Sequence, residues 1–147
     1  MRLICACLLG IRCTWDNRDI RKERAVKLLQ NEILIPVCPE QLGGLPTPRP
    51  CQEIQKGSGE DVLDKKCPVL NIKGEDVTDY FIKGAQETLK IALLFSVKEF
   101  ISKSRSPSCG SGKIYNGTFS GKLTQGNGVT VAFLLRNGFT IIREEDL

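Results

Sequence analysis

The sequence predicts an α/β fold: a single domain over residues 1–147, with a mostly parallel sheet of about four strands, helices on both faces and a small β-hairpin excursion. Three observations carry this. Short β-rich runs alternate with stretches of helical periodicity, the pattern of βαβ units. The chain has 147 residues, the size of one domain with a hydrophobic core of its own. Its content of 41% hydrophobic and 26% charged residues is that of a globular protein, not of a disordered or fibrous one.

The elements follow in order. Leu3-Ile4-Cys5-Ala6 is short and apolar and reads as a buried strand, from which Cys7-Leu8-Leu9-Gly10 turns away. Asp16-Asn17 are cap-type residues and predict a helix running to about Asn31, with Ile20, Val26 and Leu29 on its apolar face. Residues 33–37 form the second strand, ended by Pro39 and a glycine- and proline-rich stretch up to Pro50. Residues 49–76 are irregular, punctuated by Gly57, Gly59 and Gly74, and read as an excursion covering one side of a site. A helix starts near Asp76-Val77-Thr78, with Phe81, Ala85, Thr88, Ala92 and Phe95 at helical spacing. Residues 99–103 are the third strand. Asn116-Gly117 between β-prone residues predicts a hairpin, because both central positions of the tight turn favour positive φ. Gly128-Val129-Thr130 opens the last helix, Gly138 closes it, and Thr140-Ile141-Ile142 is the final strand.

In open parallel sheets, ligands bind beyond the carboxyl ends of the strands. Cys7, Cys38 and Cys109 all fall there, the last within the polar turn Ser106-Pro107-Ser108-Cys109-Gly110. The chain has seven cysteines and no histidine. That excludes imidazole ligands and Ser-His-Asp or Cys-His catalysis, and leaves carboxylate, thiol, lysine, tyrosine or water for proton transfer. No apolar run approaches the ~20 residues that cross a bilayer, and no signal-peptide pattern opens the chain. No membrane partner is expected, and the expected location is the cytoplasm, where an odd set of cysteines points to metal or thiol chemistry and not to a disulfide framework. Three separated thiolates suit a soft metal centre: an iron–sulfur cluster, zinc or copper(I). Cys13 is an alternative ligand. Cys5, in mid-strand, reads as a small core residue, and Cys51 and Cys67 as incidental.

Arg49 and Lys103 flank the proposed centre, where each either offsets charge or binds a polar group of a ligand, or else is solvated surface or one side of a salt bridge. Ser108, within the Cys109 turn, is a further candidate for contacting a ligand, and Gly126-Asn127-Gly128 at a helix start either offers free N–H groups to an anion or a polar ligand edge or is a plain helix-start turn. A net charge of +4 is mild and makes nucleic acid a possible but disfavoured partner.

The motifs occur in a telling order: Cys7-Leu8-Leu9-Gly10 with Cys13 soon after, Pro36-Val37-Cys38-Pro39-Glu40, Gly43-Gly44-Leu45-Pro46, Gly74-Glu75-Asp76-Val77-Thr78, Ser106-Pro107-Ser108-Cys109-Gly110, and Phe119-Ser120-Gly121 through Gly126-Asn127-Gly128-Val129. Across nearly the whole chain they resemble a family of small bacterial proteins that includes the thiouracil desulfidases. The resemblance implies a [4Fe-4S] cluster held by three cysteines, carried over to Cys7, Cys38 and Cys109, with the fourth iron open to substrate. It implies Glu40 and Ser106 as the proton-handling pair, and a small thiolated base as the partner. The implied reaction is a non-redox exchange of C=S for C=O on a thiolated pyrimidine or related thiocarbonyl compound. The alternatives are sulfur transfer to or from a tRNA base, and a non-catalytic zinc-binding module. The chain has Trp15-Asp16-Asn17 where the family often has Tyr-Asp-Gly, and Cys51 where proline is common; both changes bear on substrate identity.

Overall fold

Leu3, Ile4 and Cys5 are all within 2% of complete burial. Alternate residues of a strand face opposite ways, so burial of consecutive side chains means that both faces of this strand are covered. The computed structural model describes residues 1–147 and accounts for this. In chain order its elements are β1 (Arg2–Cys5), a 3₁₀ turn (Ala6–Leu9), α1 (Glu23–Leu28), β2 (Leu34–Val37), α2 (Pro39–Leu42), β3 (Gln52–Ile54), α3 (Gly59–Leu63), β4 (Val69–Asn71), α4 (Thr78–Leu94), β5 (Glu99–Ser102), β6 (Lys113–Tyr115), β7 (Leu123–Gln125), α5 (Val129–Arg136), β8 (Thr140–Arg143) and a closing 3₁₀ turn (Glu144–Asp146).

Four strands form one parallel sheet in the order β2-β1-β5-β8, with Cys5 beside Val37, Ile4 beside Ile101 and Phe100 beside Ile141. From β1 the chain steps one way to β2, then crosses back over β1 to β5 and on to β8. Right-handed crossovers in opposite directions put α1 on one face and α4 and α5 on the other. On that second face α4 packs on α5, with α2 against α4 and α3 against α5. The order reverses between β1 and β5, and a crevice opens there beyond the strand ends. One core surrounds the sheet, centred on Leu3, Ile4, Phe100, Ile101 and Leu134. A second, around Ile54, Val62, Val69, Phe81, Ile114 and Val129, lies under the excursion.

Several elements differ from expectation, each for a local reason. The first helix begins at Glu23, not at Asp16. Asp16 accepts the Thr14 hydroxyl at 2.8 Å instead of capping a helix, and Asn17 turns the chain with φ +57°. Only Ala25 of α1 is buried, and Val26 and Leu29 are exposed. Pro39 does not lead into irregular chain but occupies the first position of α2, where its missing N–H costs nothing. Phe95 is exposed because α4 ends at Leu94 and the chain turns at Ser96, φ +54°. The excursion is a β3–β4 hairpin enclosing α3, and α3 opens with the Ser58 amide donating to Asp61 Oδ2 at 2.9 Å. The second hairpin, β6–β7, does not turn on Asn116-Gly117 alone; residues 116–122 form a wider loop between its strands.

The approach of α2 to α4 is a backbone contact. A Cβ on Gly84 would stand 1.9 Å from the Pro39 carbonyl oxygen, and one on Gly43 2.0 Å from that of Tyr80. Since α2 begins directly after Cys38 and carries Glu40, this contact sets where both point. Gly84→Ala is expected to lower stability by about 2 kcal/mol or more through overpacking, although alanine is favoured over glycine within a helix by about 1 kcal/mol. Denaturant unfolding checks this, and an unchanged midpoint would show that the two helices have room to separate.

Candidate active site

The crevice at the strand ends is a cavity of about 530 Å³. It is rich in sulfur: Cys5, Cys7, Cys13, Cys38, Cys51 and Cys109 line it, six of the seven cysteines, all with free thiols, so Cys51, read from sequence as incidental, also reaches the cavity. Four are within 8% of full burial, and Cys38 and Cys51 are half-buried. Cys5 ends β1, Cys7 lies in the following 3₁₀ turn, and Cys38 follows β2 and caps α2. The thiols also touch one another. Burial pushes Cys5 well above the ordinary thiol range, and contact with Cys109 adds to it. Cys13 lies between two partners. Its bond with Cys38 pulls its pKa down, but contact with Cys7 and burial outweigh this and push it up to about 12. The same contact with Cys13, and then burial, raises Cys38, whose Sγ also meets the Cys13 carbonyl oxygen at 3.7 Å.

No three Cys, Asp or Glu side chains converge on one point as ligands of a single ion. The sulfurs stand around a volume instead. Soft donors around a buried space, with no imidazole available, fit a multi-iron cluster better than a lone zinc ion.

Cys109 is held by the loop that announced it. Ser106 Oγ accepts the amides of Ser108 at 3.2 Å and Cys109 at 3.0 Å, and Gly110 N closes the turn on Ser106 O at 2.8 Å. The start of α5 docks onto this loop: Gly128 N donates to Gly110 O, Val129 N to Pro107 O and Thr130 N to Ser108 O, at 2.8–2.9 Å. The approach is close enough that a Cβ on Gly128 would stand 2.5 Å from Ser108 O. These helix-start N–H groups therefore serve the Cys109 loop, not a ligand. Asn127 does not line the cavity; its side chain accepts Gly112 N at 3.0 Å and donates to Glu60 at 2.9 Å.

Arg49 also differs from expectation. Its side chain is 1% exposed and all five of its N–H groups are taken. They go to Glu40 Oε2 from both Nε (3.1 Å) and Nη2, to Pro46 O (3.1 Å), to Thr47 Oγ1 (3.0 Å) and to Cys13 O (2.9 Å). No donor remains for a ring carbonyl; the residue holds the wall. Glu40 Oε1 is left facing Ser108 Oγ at 3.4 Å, and Ser108 Oγ lies 3.0 Å from Ser106 Oγ and 3.5 Å from Cys109 Sγ. Ser106 and Glu40 are thus joined through Ser108.

Lys103 lines the cavity 3.3 Å from Glu144, and Lys22 reaches the same carboxylate at 3.8 Å. Burial would raise the Glu144 carboxyl, but bonds from the Ser104 hydroxyl and amide and the Lys103 charge outweigh it and hold it below its ordinary value. Two cavity residues had no sequence signal. Cys5 follows two core residues and looks like a third. Glu53 stands in a stretch without periodicity, and only the β3–β4 pairing turns it inward.

Arg49→Met is expected to cost about 3–5 kcal/mol, because it leaves Glu40 buried and unpaired. Adding Glu40→Leu should recover most of the loss. Urea unfolding of the cluster-free single and double variants measures both steps, and a single variant within about 0.5 kcal/mol of wild type would mean that the pair is already solvated.

Three comparisons bear on what this cavity is. The profile of the 2-thiouracil desulfurase family matches residues 3–146. The uncharacterized protein YbbK of Bacillus subtilis (strain 168) is 44% identical over 147 residues, all of this chain and 97% of that protein. The solved structure of TudS, a [4Fe-4S]-dependent thiouracil desulfidase, superposes with a TM-score of 0.85 at 37% identity, over 99% of this chain and 91% of that one. By sequence and by fold, the chain belongs to the 2-thiouracil desulfurase family.

Proposed function

We propose that this protein is an iron–sulfur-dependent, non-redox desulfidase, a single domain over residues 1–147 that converts the C=S group of a thiolated pyrimidine or related thiocarbonyl compound to C=O. The observation that carries the reading is the arrival of Cys7, Cys38 and Cys109, from three separate segments, on one cavity that also holds a carboxylate–hydroxyl chain. Membership of the desulfurase family and the likeness to TudS support it. In this reading Cys7, Cys38 and Cys109 hold a [4Fe-4S] cluster, with Cys13 as the alternative ligand. Bound there by three thiolates, the cluster would supply a Lewis-acidic, sulfur-seeking iron beside the thiocarbonyl.

The protein's share is proton management and positioning. Glu40 Oε2 is committed to Arg49, so the reactive atom is Oε1. It accepts a proton from the water that adds to the thiocarbonyl carbon. The Ser108 and Ser106 hydroxyls offer a short path along which that proton returns to the departing sulfur or to the ring. The balance is C=S plus water to C=O plus hydrogen sulfide, with no electron gained or lost. No helix is long and apolar enough to cross a membrane. We assign the protein to the cytoplasm, where its thiols stay reduced.

Anaerobic reconstitution with iron and sulfide tests the assignment. Cys109→Ala should lose the brown chromophore and its iron and sulfide content, while Cys13→Ala should keep them; the opposite pattern would exchange the two in the ligand set. Glu40→Gln should keep the chromophore and lower sulfide release from 2-thiouracil by about 10²–10⁴-fold, the usual worth of a general base. Unchanged turnover would exclude Glu40.

A further inference from the structure

Three carboxylates line the cavity, and of these Asp16 is paired with Arg18 and Glu40 with Arg49, while Glu53 is paired with no cation. Glu53, on β3, lines the cavity and is 8% exposed. No ion pair includes it. Its two oxygens have different fates. Oε1 accepts the amides of Gly117 at 2.9 Å and Phe119 at 3.2 Å, both in the loop that joins β6 to β7. Oε2 has no hydrogen bond within the protein, yet it is not sealed away: the side-chain oxygens that are both buried from solvent and unpartnered are Ser102 Oγ and Thr130 Oγ1. A carboxylate so far removed from bulk water is costly unless its lone pairs are met. The open oxygen therefore marks a place where a donor is wanted.

We infer that Glu53 is a substrate-binding residue whose Oε2 receives a ring N–H of the thiolated pyrimidine. The inference rests on the desulfidase reading and adds how the ring is oriented. A pyrimidine thione in its keto–thione form carries N–H groups beside the C=S carbon, and a carboxylate accepts such a donor in a charge-assisted hydrogen bond. Glu53 also fixes the wall against which the ring lies. Phe119 and Gly121 line the cavity from the loop whose amides Oε1 holds. That loop is seated tightly on β3, since a Cβ on Gly117 (φ +90°) would stand 2.6 Å from Ile54 O. One side chain thus secures the loop with one oxygen and reads the ring with the other. A ring alkylated at the nitrogen it reads presents a methyl group in place of the donor, and buried polar sites discriminate strongly against such a loss.

Glu53→Gln separates the two tasks. Its amide oxygen still accepts Gly117 and Phe119, while an NH₂ replaces the oxygen that has no partner within the protein. The probe is uracil, which has the ring N–H groups and no sulfur, measured by ligand-observed NMR on the cluster-loaded protein. Glu53→Gln should weaken uracil binding by about tenfold or more. It should raise the KM for 2-thiouracil by a similar factor, with kcat within about twofold, and leave amide exchange at Gly117 and Phe119 unchanged. Equal uracil affinity with equal exchange protection would overturn the inference. Should the variant release the loop, the wild-type protein decides: 1-methyl- and 3-methyl-2-thiouracil both processed with the KM of the parent would overturn it, and selective failure of one would support it. If the wild type binds uracil through Glu53 but frees no sulfide from 2-thiouracil, the desulfidase reading falls and the Glu53 contact stands.

Discussion

Arg49 spends every N–H it has inside the protein, on a carboxylate, a hydroxyl and two carbonyl groups. These acceptors belong to three stretches of chain: the turn after Cys13, the first turn of α2, and the proline-rich segment before Arg49 itself. None of the three is long regular structure, and none holds the others through a ladder of backbone hydrogen bonds. The guanidinium substitutes for that ladder. Desolvating two charges is expensive, and such a pair is favourable only with good geometry and with its remaining donors met. Both conditions hold here. The gain is positional: Glu40 is turned so that one oxygen is neutralised and the other faces the serines, and the Cys13 carbonyl is held where the Cys38 thiol meets it.

The helix contacts reinforce this from behind. Gly43 and Gly84 let α2 and α4 meet backbone to backbone, and Gly128 does the same for α5 and the Cys109 loop. The two segments that carry Cys38 and Cys109 are thus each pressed against a helix on the same face of the sheet. Cys7 needs no such support, because the 3₁₀ turn follows directly from the central strand. The price of gathering thiols in this way shows in Cys5, Cys13 and Cys38, all held above their ordinary pKa by burial and by each other. Without metal, these sulfurs keep their protons. A bound cluster takes its ligands as thiolates, so loading the site couples metal affinity to proton release.

What the sequence disclosed and what it hid divide along a physical line. The strands were legible because apolar runs such as Leu3-Ile4-Cys5 and Phe100-Ile101 have no other place to go than a covered sheet. The parallel order followed from their alternation with helices. Cys7, Cys38, Cys109, Glu40 and Ser106 were legible through motifs, and all of them line the cavity. Errors arose where a side chain had two possible partners. Asp16 had the residue type of a helix cap but is taken by Thr14. Asn116-Gly117 had the chemistry of a tight turn, but Glu53 draws the Gly117 amide away from it. For Arg49 the sequence left ligand binding and a salt bridge both open, and only the acceptors assembled around it, from Cys13 to Thr47, decide for the salt bridge. Ser108 looked secondary to Ser106, yet it stands between that residue and Glu40. Local pattern cannot rank such competitors, because the winning partner is supplied by tertiary structure.

Carboxylates in one cavity can have different tasks when their surroundings differ, and Glu40 and Glu53 are such a pair. Glu40 faces a guanidinium on one side and a hydroxyl on the other, and that hydroxyl leads to a second. A proton taken by Oε1 has somewhere to go, which is the requirement of a group that must return to its starting state after each turnover. Glu53 has no such outlet. Its bound oxygen is fixed by two backbone amides that cannot relay a proton, and its open oxygen makes no hydrogen bond within the protein. A group in that position is suited to accept a hydrogen bond and keep it. The asymmetry comes from the fold: Glu40 sits at a helix start beside the cysteine loops, whereas Glu53 sits on a short strand that anchors the facing loop. The two sides of the cavity therefore differ in what they offer: the Glu40 side a chain of exchangeable protons, the Glu53 side a fixed acceptor.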